Sequence, residues 1–257
     1  MLQQTLDFYV SFFEKPSALG IGLAIIFGAI WLVCYWPPLF KKAWLWVIMI
    51  TSAILTLIAV SFIQLPLQIW IGEFMTDRWT QETLMNWILL AGIPAILLSG
   101  LIQEGAKLVP VVVYWWRNNK RIDPKLGLII GAVAGTGFGI FEAQWIHNIV
   151  IASGWNWSSV QTDGLITLAP FWERFFATAF HIAACAFAGY GLAKGWGWQF
   201  YLLASLLHFI LNFSILLLQS GILSIGQVEL YVAIWSVLVV SGSLWIRWKI
   251  LPAESNP

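Results

Sequence analysis

The stretch SGLIQEGAKLVPVVVYWWR, residues 99–117, decides how the whole chain is read. It is apolar enough to cross a bilayer, yet Glu104 and Lys107 stand inside its apolar run. An ionisable group at mid-membrane costs at least ~2.5 to 3.5 kcal/mol, so such a residue needs a partner and marks a functional site by default. Composition outside the stretch agrees with a membrane reading. The 257 residues are 60% hydrophobic and only 10% charged, more apolar surface than a water-soluble domain of this length buries.

The pattern predicts an all-α, polytopic helical bundle with about seven transmembrane helices, over residues 18–36, 43–63, 84–116, 126–151, 168–193, 199–219 and 227–248. All of it, residues 1–257, reads as a single transmembrane domain, with the chemistry-bearing helices in 84–219. Residues 65–83 carry Pro66, Glu73, Asp77, Arg78 and Glu82 and read as a polar or surface-lying connection. Pro94 and Pro110 each remove a backbone donor, so the third span is expected to kink. The N-terminus has no basic region and no small-residue cleavage site, so the first span is expected to remain in place rather than to be removed as a signal.

Charge sets the expected orientation. Lys41, Lys42, Arg117, Lys120, Arg121, Lys125, Lys194, Arg247 and Lys249 fall in one set of alternating loops, against Lys15 and Arg78 in the other. By the positive-inside rule the N-terminus is then outside and the C-terminus cytoplasmic, in a plasma-membrane protein. The formal net charge of +1, with no basic cluster, argues against nucleic acid as a partner, and Cys34 and Cys185 both lie in apolar runs. Most of the 18 tryptophans fall at the expected interfaces, where an apolar ring with a polar N–H belongs.

Depth is the next signal. Glu104 lies 13 residues before Arg117, Glu142 17 after Lys125, His181 13 before Lys194 and His208 14 after Lys194. At 1.5 Å per residue, four spans lift an ionisable group to roughly 20–25 Å above the same edge. Within helices, Glu104 shares a face with Lys107, Arg174 with His181, and His208 with Asn212. Two histidines and two carboxylates at one level suit zinc or another divalent metal, with a nearby carboxylate as base toward metal-bound water. Taken singly, each has a plainer reading: Glu104–Lys107 as a structural ion pair, Asn212 as interhelical glue, Arg174 as an anchor for Glu173, Cys185 and His147 as packing residues. Gly131, Gly135 and Gly139 recur every four residues and predict close approach of a neighbouring helix.

At these residues the chain resembles the PrsW and YhfC groups of the CAAX-protease-like intramembrane peptidases. QEGAK at 103–107 is similar to the paired-glutamate motif, FGIFE at 138–142 to F-x-x-x-E, and HFILN at 208–212 to H-x-x-x-N/D, with the ERFFATAFH run ending at His181 between them. The resemblance implies a metal-dependent endopeptidase acting on membrane-anchored proteins. Carried over, Glu104 is the base or a ligand, Glu142, His181 and His208 are the metal ligands, Asn212 holds the oxyanion, and Lys107 and Arg174 orient carboxylates or bind substrate. One departure stands out: Gln103 replaces the first glutamate of the pair.

A second class is implied by likeness to the seven-helix scaffold subunit of γ-secretase, a non-catalytic membrane protein that binds partner subunits. Glu142 favours the enzyme and Gln103 the scaffold. A proton-coupled transporter is the third class, and the absence of an inverted repeat in the hydropathy counts against it.

Overall fold

The computed structural model describes residues 2–250. Twelve α-helices are found among them: α1 (Leu2–Ser11), α2 (Ala18–Val33), α3 (Trp44–Ala59), α4 (Leu65–Thr76), α5 (Gln81–Asn86), α6 (Ile88–Ala91), α7 (Ile93–Arg117), α8 (Pro124–Ala152), α9 (Trp157–Asp163), α10 (Ala169–Ala193), α11 (Gly197–Gln219) and α12 (Ile225–Trp245). No strand occurs among the described residues. Six rods are long and apolar enough to cross a membrane, and α2, at 16 residues, is shorter. At 1.5 Å per residue α2 reaches about 24 Å, less than the ~30 Å of a bilayer core.

Two boundaries differ from the sequence reading, for identifiable reasons. Residues 65–76 do not leave the helix: α3 runs through a π-helical turn, Val60–Gln64, into α4, so that Trp44–Thr76 is one rod. The wide turn closes with Leu65 N–H on the Val60 carbonyl, placing Pro66 in the first turn of α4, where a missing N–H is tolerated. Conversely, 84–116 is broken. Trp87 and Gly92 separate α5, α6 and α7, and Pro94 sits in the first turn of α7.

Side chains cap several of the helix N-termini. The Asp123 side chain accepts from the Lys125 and Leu126 N–H groups ahead of Pro124, and Ser224 forms a capping box with Gln227. Asn156 accepts from Ser158 N–H at 2.9 Å and starts α9.

At the centre, α8 and α10 pack against each other more extensively than any other pair, ringed by α2, α3, α7, α11 and α12. The glycine stripe is the reason. A Cβ on Gly131 would collide with the Cys185 carbonyl, and one on Gly135 with the His181 carbonyl. Backbone thus lies on backbone, which buries α8 from Gly127 to Gly139 and α10 from Ala177 to Ala186. On the other side, Gly100 of α7 faces the Ser205 carbonyl and the His208 Cβ of α11. The outer helices turn Val47, Ile50, Ile54 and Ile58 of α3, and Ile234 and Leu238 of α12, outward. Apolar side chains exposed in such rows are what lipid covers. Trp36, Trp116, Trp198 and Trp248 are exposed at one end of the bundle, Trp87, Trp157 and Trp172 at the other. This is an integral membrane protein.

Candidate metal centre

Four helices bring their polar residues together. Glu104 and Lys107, one turn apart on α7, are completely buried, and Lys107 Nζ lies 2.5 Å from Glu104 Oε1. From α11, His208 Nδ1 reaches the same Oε1 at 2.7 Å. From α10, His181 turns Nδ1 to Lys107 Nζ at 2.9 Å and Nε2 to Glu142 Oε2, on α8, at 3.0 Å. Arg174, two turns before His181, places Nη1 2.7 Å from the same Glu142 oxygen and pairs its other side with Glu173.

Each acid at this depth therefore has a basic partner, as desolvation demands. One oxygen is left over: Glu104 Oε2 is buried with no hydrogen-bond partner among the described residues. One ligand atom each from Glu104, His181 and His208 lies within 4.8 Å of the others, and all three residues are buried.

Glu142, expected as a ligand beside the histidines, stands one residue further out, with Oε2 shared between Arg174 and His181. Asn212, one turn beyond His208, donates Nδ2 to Ser99 Oγ at 3.1 Å. His147 lies apart and bonds the Gly20 carbonyl through Nδ1 at 3.0 Å, docking α2. Cys185 is buried and is not in the group of three.

A cavity of about 300 Å³ adjoins the cluster, with Gln103, Glu142, Arg174 and Asn212 on its polar wall and Phe8 and Phe12 of α1 across it. The larger groove at the other end of α7, about 460 Å³, carries no carboxylate, histidine or basic side chain, so the chemistry belongs to the smaller one. Sequence reasoning passed over Gln64, Gln68 and Trp145, which also line this cavity. The spacing of Gln64 and Gln68, four apart on one helical face, was the available signal.

A helical bundle with acids and histidines buried inside its membrane-crossing rods defines an intramembrane polar centre, three of whose residues could hold a metal ion. The model of the PrsW family of intramembrane metalloproteases matches residues 41–241. The chain belongs to that family. No curated protein and no solved structure matches it.

Proposed function

We propose that the protein is an endopeptidase that hydrolyses peptide bonds of membrane-anchored proteins, with zinc held by Glu104, His181 and His208. Two observations carry this reading: Glu104 offers one of three ligand atoms that lie within 4.8 Å of one another, and its second oxygen, Oε2, is buried with no hydrogen-bond partner among the described residues. A buried anionic oxygen without a donor is costly, and a bound cation satisfies it. His181 fits too: with its Nε2 proton on Glu142, its Nδ1 lone pair faces the centre, the arrangement that orients a metal-bound imidazole. Glu104 is assigned to the metal ahead of Glu142 because Arg174 already holds the Glu142 oxygen at 2.7 Å.

Lys107 Nζ stands among the ligand atoms, and its flexible stem must swing aside to admit an ion. Bound zinc supplies a water with its pKa lowered to ~7 and polarises the scissile carbonyl.

The chain's own residues complete the reaction. Glu142, on the cavity wall, takes the proton from the attacking water and hands it to the leaving amine. Arg174 fixes the rotamer of Glu142. Asn212 offers its amide N–H groups to the developing oxyanion, with Ser99 as their resting partner. The excess of basic residues in alternate loops supports an N-terminus outside and a cytoplasmic C-terminus.

The test is cleavage of a single-span reporter in proteoliposomes. Turnover is expected with wild type and lost in Glu104→Gln and Glu142→Gln, with metal lost outright in the first and bound more weakly, though restored at saturating zinc, in the second. Cleavage surviving both substitutions contradicts the proposal.

One observation favours a second reading. The Lys107 ammonium, 2.5 Å from Glu104 and 2.9 Å from His181, neutralises the centre without a metal, as in a non-catalytic scaffold that binds partner subunits. Metal content separates the two.

A further inference from the structure

Three glutamines on the cavity wall form a directional chain. Gln68 Nε2 donates to the Ala95 carbonyl at 3.0 Å, Gln64 Nε2 to Gln68 Oε1 at 3.4 Å, and Gln103 Nε2 to Gln64 Oε1 at 3.1 Å. The carbonyl at its foot fixes the sense of the chain. Reversing every amide would set Gln68 Oε1 against the Ala95 oxygen, two acceptors without a proton. Gln103 therefore commits its amide nitrogen to the chain through one N–H, and its Oε1 has no hydrogen-bond partner among the described residues although Gln103 is only 6% exposed. Trp145 lines the same cavity, and its Nε1 is a buried donor with no partner among them.

One unpaired acceptor and one unpaired donor on the wall of a single cavity are the complement of a peptide group. A helix entering from lipid has none to offer, because its N–H and C=O groups bond each other. An unwound stretch has both. We infer that Gln103 and Trp145 form a subsite that binds the main chain of an unwound substrate segment: Gln103 Oε1 accepts a substrate N–H and Trp145 Nε1 donates to a substrate carbonyl. This rests on the protease reading and assigns Gln103 a role that a glutamate would fill less well, since a buried carboxylate could not donate to Gln64. The pair selects segments that unwind easily, whatever their side chains.

Binding is read without turnover, so that the subsite and the protease reading fail separately. Chelator-treated full-length protein in lipid nanodiscs is titrated with a labelled 20-residue apolar peptide carrying Gly-Gly-Pro at its centre, followed by energy transfer to a label on the protein. Single esters then replace each central amide in turn, deleting one N–H at a time. In wild type, at least one ester is expected to weaken binding about tenfold, the worth of one good hydrogen bond. Gln103→Leu should abolish that penalty, while Trp145→Phe weakens the parent peptide several-fold and leaves the ester penalty intact. An all-Leu/Ala peptide of equal length should bind at least tenfold more weakly. A flat ester scan in wild type, or a penalty unchanged in Gln103→Leu, overturns the assignment. If Gln103→Leu fails to fold, the wild-type scan and Trp145→Phe decide, and unaltered binding in Trp145→Phe overturns it as well.

Discussion

Glu142 Oε2 lies 3.0 Å from His181 Nε2, so a carboxylate on the cavity wall also fixes the tautomer of a ring whose other nitrogen faces Lys107 at 2.9 Å. Glu142→Gln should consequently weaken zinc binding by about 10- to 100-fold. At saturating zinc it should still cut peptide turnover by about 10²- to 10⁴-fold, the share of a lost general base. Zinc titration and reporter cleavage on the same preparation check both halves.

Lys107 stands in for the cation. Without metal, Lys107→Met leaves the buried Glu104 carboxylate with His208 as its one remaining partner, and should cost about 3–5 kcal/mol of stability. Added zinc should restore most of that loss and shift the thermal transition of the variant more than that of wild type. Thermal unfolding with and without zinc is the measurement.

Arg174 and Glu142 should act as a unit, since Nη1 and Oε2 lie 2.7 Å apart and both side chains are mostly shielded. Arg174→Met is expected to destabilise the bundle, and the loss to be smaller in a Glu142→Gln background. The double-mutant cycle should show a coupling of about 0.5–3 kcal/mol.

The contact between α8 and α10 sets the position of His181. Gly135→Ala pushes a methyl into the His181 carbonyl and should destabilise by about 1–3 kcal/mol and lower zinc occupancy. Gly22→Ala, whose added methyl meets nothing within 4 Å, should be neutral or slightly stabilising. Thermal unfolding of the pair separates close approach from a general intolerance of alanine.

Much of this arrangement was legible because a helix converts residue counts into height. Counting from the basic ends put Glu104, Glu142, His181 and His208 at one level, and these residues share hydrogen bonds or sit within ligand distance of one another. The stripe of Gly131, Gly135 and Gly139 likewise announced a close neighbour, which is α10. Height alone does not reveal which acid faces which base, so the position of Arg174 on Glu142 emerged only in three dimensions. Gln64 and Gln68 were hidden because Pro66 and the charges after it ended the preceding span at residue 63 and made residues 65–83 read as a polar or surface-lying connection. A π-helical turn, invisible in a hydropathy pattern, carries the rod through.

Metal content of purified, folded protein tests the central claim most directly. Wild type should hold one zinc per chain, and His181→Ala with His208→Ala should hold none while keeping its helical signal. A folded wild type that stays metal-free in saturating zinc would contradict the account and leave Lys107 as the permanent cation of the site.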